Sequence, residues 1–154
     1  MRAIVQLRGE VNLDYDLEET LRLLNLGRVN HCTFVPETDA YEGMVQRVAE
    51  VTAFGEPSEE VVAELITRRG QPTKGNEDID DEWVASETEY GSVDELAAAL
   101  VAEETTLQEA GLRPTLRLHP PRGGHDGIKK SRTNGGALGA HENDAIDELL
   151  YSMR

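Results

Sequence analysis

Asp16-Leu-Glu-Glu-Thr-Leu-Arg-Leu-Leu-Asn-Leu-Gly-Arg-Val-Asn-His-Cys-Thr-Phe-Val-Pro36 contains the change of periodicity on which the fold turns. Asp16 and Glu19 have the spacing of a capping box, and Leu17, Leu21 and Leu24 then fall on one helical face. Gly27 is the expected stop. Beyond it, His31-Cys-Thr-Phe-Val35 reads as a strand closed by Pro36. Upstream, Ala3-Ile-Val-Gln-Leu-Arg8 has the β-branched character of a short strand. Downstream, Asp39 and Glu42 repeat the capping spacing, and Tyr41, Met44, Val45 and Val48 form a second helical stripe. Val51-Thr-Ala-Phe54 is a third strand, ended by Gly55 and Pro57. Residues 1–56 are therefore expected to form a β-α-β-α-β, ferredoxin-like α+β core, with two helices on one face of a three-stranded sheet.

Residues 57–154 read as a mainly helical extension. Ser58 should cap a helix carrying Val61, Val62, Leu65 and Ile66 and ending at Arg68-Arg69-Gly70. Residues 71–91, rich in turn formers and acids, are expected to be a solvated loop around Trp83. Ser92 and Glu95 open another helix with Val93, Leu96 and Leu100 inward. Thr115-Leu-Arg-Leu118 reads as a short strand ended by Pro120-Pro121. Glycines at 123, 124, 127, 135, 136 and 139 argue against regular structure over 122–139. Asn143 is the expected cap of a last helix bearing Ile146, Leu149, Leu150 and Met153. No repeat at a fixed period is visible.

The 154 residues include 15 Lys and Arg against 30 Asp and Glu, a formal net charge of -15. Taken as one number, that charge opposes nucleic acid, whose phosphates repel an acidic protein. The distribution says otherwise. Residues 75–112 hold 12 acidic and no basic side chains, whereas residues 113–136 hold 6 basic and 1 acidic. Only 3 of the basic residues are lysines. Abundant acid with scarce lysine resembles proteins of salt-loving organisms, because screening falls to about 3 Å at 1 M salt and makes self-repulsion tolerable. The ordinary alternative is an acidic protein with one disordered acidic segment. The longest apolar run is Leu96 to Ala102, far short of a membrane span. Arg8 and Glu10 interrupt any signal-like stretch near Met1. A lone cysteine, Cys32, excludes an internal disulfide. A cytoplasmic protein without a membrane partner or homo-oligomer is expected.

The basic arm, Arg122-Gly-Gly-His-Asp-Gly-Ile-Lys-Lys-Ser-Arg132, joins glycines that admit close backbone approach to cations that donate to phosphate. Gly123, Gly124, Lys129, Lys130 and Arg132 are candidate RNA contacts along with Arg122, and Arg117 lies just upstream. The arm has little with which to bury a core, so its order should come from a partner. Arginine suits a salty host, since its planar fork grips phosphate directionally when generic attraction is screened. Arg28, Asn30 and His31, at the first helix–strand junction, offer further donors; helix capping is the equally ordinary use of Arg28 or His31. Arg68 and Arg69 could likewise complement a helix terminus, and Lys74 would extend the same basic patch. His119, His125, Asp126 and His141 raise a zinc site, but their spacing imposes no geometry. Cys32 beside His31 on a strand points to the opposite face, which favours a buried structural thiol over a nucleophile. No catalytic constellation or cofactor motif stands out.

Several stretches resemble a known family. Leu21-Arg-Leu-Leu-Asn-Leu-Gly-Arg-Val-Asn-His31 is followed by Thr38-Asp-Ala-Tyr-Glu-Gly-Met-Val45 and Phe54-Gly-Glu-Pro57. Glu64-Leu-Ile-Thr-Arg-Arg-Gly70 comes next, then Pro121-Arg-Gly-Gly124, Lys129-Lys130 and Gly135-Gly136. Together they resemble the L-thirty family of large-subunit ribosomal proteins, in its longer archaeal type. The resemblance covers roughly residues 3–74 and 113–154. It implies a non-catalytic protein that binds 23S-type rRNA, helps to seat the 5S rRNA and meets neighbouring ribosomal proteins. It implies RNA contacts at Arg28, Asn30, His31, Arg68, Arg69, Arg122, Gly123, Gly124, Lys129 and Lys130. Residues 75–112 depart from the family in lacking any Lys or Arg. From the residues alone, a ligand-sensing α+β module and a His-based metal hydrolase remain as alternatives; the basic arm speaks against the sensor.

Overall fold

A computed structural model describes residues 1–9, 11–125 and 127–154. The expected core is present: β1 (Arg2–Gln6), α1 (Tyr15–Leu23), β2 (His31–Val35), α2 (Asp39–Arg47) and β3 (Thr52–Gly55) follow in that order. β1 is central and antiparallel to both neighbours, with Val5 opposite Cys32 on one side and Ala53 on the other. Two further short strands widen the sheet to five. β4 (Leu116–Arg117) pairs antiparallel with β2, and β5 (Gly139–Ala140) pairs parallel with β3, for the order β4-β2-β1-β3-β5.

Side-chain alternation sends successive residues of β1 to opposite faces. Ile4 joins Leu17, Leu21, Leu24, Val45, Val48 and Phe54 in one apolar cluster beneath α1 and α2. Ala3, Val5 and Leu7 join a second cluster on the other face. That face, which the core alone would leave open, is covered by α3 (Glu59–Arg69), α5 (Val93–Val101) and α6 (Asn143–Ser152). Gln6 is fully buried between the layers, and its amide is satisfied at both ends: Nε2 donates to the Arg8 carbonyl, and Oε1 accepts from Gly27 N–H, each at 2.9 Å.

Ser58 and Ser92 cap α3 and α5 as the sequence predicts, accepting from Val61 and Glu95 N–H at 3.3 and 3.2 Å. The other starts shift by one or two residues. Asp14, not Asp16, precedes α1; Thr38, not Asp39, caps α2 by accepting from Tyr41 N–H; and Glu142 precedes a helix that already includes Asn143. The turn out of α1 is made at Asn25, in the left-handed region at φ 60°, before Gly27 is reached.

The solvated loop expected over 71–91 is corrected. Its middle is α4 (Asp81–Glu87), capped by Asp80, whose Oδ1 accepts from Trp83 N–H at 2.8 Å. Ile79, Trp83 and Val84 are buried against the α3–α5 layer. Carboxylates that look like solvated charge in the sequence here serve as helix caps, and Asp81 also accepts from Val93 N–H at the start of α5.

The basic arm also has an order of its own. Ala137 N–H donates to the Gly127 carbonyl, Leu138 N–H to Lys130, Gly136 N–H to Ser131 and Arg132 N–H to Leu138. A short 3-10 turn spans Arg132–Asn134. Ala137 and Leu138 anchor the loop in the core. Two buried apolar side chains and a self-paired backbone supply what the glycine content conceals.

Candidate nucleic-acid interface

β4 brings distant basic residues to one edge of the sheet. His31 is paired in register with Arg117, and His31 N–H donates to the Arg28 carbonyl at 3.2 Å. Asn30 occupies the left-handed region at φ 70°; its N–H donates to Gln6 and its carbonyl accepts from Leu118 N–H. That conformation is tolerated by asparagine better than by most side chains. Its Oδ1 is buried with no hydrogen-bond partner among the described residues.

Arg117 also lines a cleft with Arg68, Arg69 and Arg113, closed on its remaining side by Gly70–Pro72 and Gly75–Asp78. The cleft has a volume of about 370 Å³. It forms because α3 ends at Arg69 and the chain then pairs with the segment entering β4: Arg113 N–H donates to the Gln71 carbonyl at 2.8 Å. Arg68 Nε is held by Glu64 at 2.5 Å, and Arg69 Nε is buried with no hydrogen-bond partner among the described residues. Four guanidinium groups around one cleft suit a phosphate, which can take paired N–H donors from each fork. Sequence reasoning did not single out Arg113; its place in the basic segment directly before Pro114 was the available signal.

A second cleft, of about 240 Å³, holds Arg122, Gly124, His125 and Arg132 against His141 and Glu148. Gly123 and Gly124 both lie in the left-handed region, at φ 87° and 82°, with open space where a side chain would project. Lys129 and Lys130 are exposed on the loop beyond. The candidates thus fall into two groups, one at the β4 edge and one on the arm. Lys74 lines neither cleft but sits in one adjoining the first, with which it shares Pro72 and Glu77. The chain turns at Gly75, and Lys74 lines a neighbouring cleft with Glu77, Glu87 and Trp83.

Among the described residues no three His, Cys, Asp or Glu side chains are placed to hold an ion. Asp126 lies outside the described residues. Cys32 is buried, and burial pushes its thiol up to about 12, so it stays protonated at neutral pH. No helix is long and apolar enough to cross a membrane among the described residues.

Burial first, then the charges of Arg117 and Arg28, hold the His31 imidazole below its usual range. The unfolded chain takes up a proton there near about pH 6.5, whereas the folded chain does so only at lower pH. The stability tied to neutral His31 is therefore complete above about pH 6.5 and is lost as pH falls below it. A His31→Gln variant is expected to lose less stability than the parent between pH 7.5 and 5.5 in chemical denaturation. An equal loss in both proteins would show that His31 is not the group responsible.

Residues 3–51 match the family described as Ribosomal protein L30p/L7e. Over its whole length the chain is 63% identical to the large ribosomal subunit protein uL30 of Natronomonas pharaonis, with all of both chains covered. The chain belongs to the uL30 family. The corresponding proteins of Haloarcula marismortui and Halobacterium salinarum are each 57% identical, again with full coverage of both chains. These relatives come from halophilic archaea, in agreement with the acid-rich, lysine-poor composition. As a uL30-family member the chain is a structural ribosomal protein and not an enzyme, which removes the hydrolase and the ligand sensor.

Proposed function

We propose that this protein is a structural constituent of the large ribosomal subunit, working in the cytoplasm, that binds 23S-type rRNA through the β4-edge cleft and the basic arm. The observation that carries the reading is the convergence of Arg68, Arg69, Arg113 and Arg117 on one cleft, in a chain with 30 acidic and 15 basic residues. Arg68 is paired with Glu64, whereas Arg69, Arg113 and Arg117 form no salt bridge among the described residues, so their charges remain available in the cleft. Residues 1–56 act as the scaffold, and residues 57–154 supply most of the RNA-facing surface. Arg28, Asn30 and His31 extend the first contact region, while Arg122, Gly123, Gly124, Lys129, Lys130 and Arg132 form the second. Two separated contact regions suit a protein that bridges rRNA segments; the role in seating the 5S rRNA rests on the family resemblance alone.

The protein is expected to co-sediment with large subunits from gently lysed cells and to remain bound through high-salt washes. Recovery only in the ribosome-free fraction would end the reading. Substituting Arg122, Lys129, Lys130 and Arg132 with Ala should weaken association while leaving circular dichroism and the thermal transition nearly unchanged, since all four side chains are exposed. Crosslink mapping on intact subunits tests the finer claim: adducts to 5S rRNA support direct seating, and adducts confined to 23S-type rRNA remove it.

A further inference from the structure

The carboxyl-terminal end of α6 lies between the two basic clefts. Ser152 lines the second cleft, and its carbonyl accepts from Arg122 N–H at 3.1 Å. On the other side, Arg154 and Arg68, a lining residue of the arginine cleft, share one carboxylate: Glu64 Oε1 takes Arg154 Nε at 3.2 Å and Arg68 Nε at 2.5 Å. Tyr151 stands at this junction. The Arg154 guanidinium carbon lies 3.7 Å from the centroid of its ring, and Arg154 Nη1 donates to the Tyr151 carbonyl at 2.8 Å. Despite that cover Tyr151 is 50% exposed, so part of its surface is open to solvent beside the clefts.

We propose that Tyr151, backed by Arg154, is a stacking platform for one unpaired base of the bound RNA. The inference rests on the RNA-binding reading above and adds a base contact to a surface otherwise built for phosphate. An aromatic face placed between two cationic clefts meets the bases of a strand whose backbone the clefts hold. Arg154 fixes the ring from behind through its contacts to Glu64 and the Tyr151 carbonyl, so little side-chain freedom remains to be lost on stacking. Stacking also tolerates molar salt, in which the charge attraction of Arg and Lys for phosphate is screened to about 3 Å. The platform thus supplies an attraction that does not fade in the environment for which the acid-rich surface is suited.

The test is equilibrium binding of the full chain to protein-free large-subunit rRNA across a range of salt concentrations. Tyr151→Ala is expected to weaken binding by about 5- to 150-fold, the usual worth of one stacked base. The slope of log affinity against log salt should stay that of the parent, because no phosphate contact is removed. Tyr151→Phe should bind within about twofold of the parent, since the ring is retained. Ultraviolet crosslinking of the unmodified protein to the same rRNA should place an adduct on the peptide containing Tyr151, a readout independent of any variant's folding. Parental affinity in Tyr151→Ala would overturn the platform and leave the RNA reading intact. An equal loss in Tyr151→Phe would assign the effect to the hydroxyl and also overturn it. If the parent itself failed to bind, the RNA reading and the platform would fall together.

Discussion

Replacing Arg69, Arg113 and Arg117 together with Ala is expected to weaken binding to protein-free large-subunit rRNA by roughly two orders of magnitude. A hydrogen bond to a charged group is worth about 1.5–3 kcal/mol, and discounting each to about 1 kcal/mol for exposure leaves about 3 kcal/mol in all. The salt dependence should also flatten, the slope falling by about 0.7–0.9 for each phosphate contact removed. Arg68 is left in place because Glu64 joins it to Arg154, and disturbing that pair would mix the cleft with the Tyr151 platform. The fold should survive, since Arg113 and Arg117 are exposed and Arg69 is only half-buried. The matching triple Arg→Lys variant separates charge from geometry. It should bind nearly as well as the parent at low salt and fall behind as salt approaches 1 M, where the bidentate fork rather than the charge holds the phosphate. Parental affinity of the Ala variant at all salt concentrations would remove the cleft from the interface.

The charge of -15 is compatible with RNA binding because its parts lie on different pieces of structure. Asp80 caps α4, Asp81 accepts from Val93 N–H at the start of α5, Glu103 pairs with the amino terminus, and beyond Asp78 no residue of the 75–112 segment lines the arginine cleft. Glu77 and Asp78 are the exceptions, on the cleft's closing side. In dilute salt they would oppose an incoming phosphate. Near 1 M salt that opposition is screened beyond about 3 Å, while direct guanidinium–phosphate contacts persist. The same screening that makes the acidic surface tolerable therefore favours the cleft's directional contacts over its long-range repulsion.

The core was legible because its signals were local and redundant. Leu17, Leu21 and Leu24 specify a helix by period, His31–Val35 a strand by alternation and β-branching, and each is closed by a turn residue. The helix starts were legible only to within one or two residues, because Asp14 and Asp16, or Thr38 and Asp39, are nearly interchangeable as caps. α4 was missed because seven residues holding only Trp83 and Val84 as large apolar groups make no periodic stripe; its burial depends on α3 and α5, far away in sequence. The short strands differ in the same way. β4 carries a visible Thr115–Leu118 run, whereas β5 is Gly139–Ala140, with no β-forming side chain, and exists because β3 offers it an edge. Among the candidate contacts, types and segments were legible but not groupings. Nothing local says that Arg117 should line one cleft with Arg69 while Lys74 lines the next, since that depends on the pairing of Gln71 with Arg113.

Gly136→Ala is expected to be the most damaging single substitution in the arm. A side chain there would overlap the Lys130 carbonyl and come within 2.6 Å of the Lys130 Cβ, so backbone must move. Gly136 N–H donates to Ser131 at 2.8 Å, and Leu138 N–H donates to that same Lys130 carbonyl at 3.1 Å, so the displacement falls on the bonds that close the loop. Because Ala137 and Leu138 are core residues, the loss reaches the fold: about 1–3 kcal/mol for overpacking, or a thermal midpoint lower by about 2–12 °C. rRNA affinity should fall as well, since Lys129, Lys130 and Arg132 lose their common scaffold. Gly43→Ala provides the opposite sign. Gly43 lies within α2, exposed, with nothing within 4 Å of an added Cβ, so alanine should stabilise the protein by about 0.5–1 kcal/mol without changing RNA binding. Thermal denaturation of the two variants at one high salt concentration, followed by rRNA binding, checks both signs. An unchanged midpoint for Gly136→Ala would mean that the arm does not take this closed form in the free protein and is ordered only when it meets RNA.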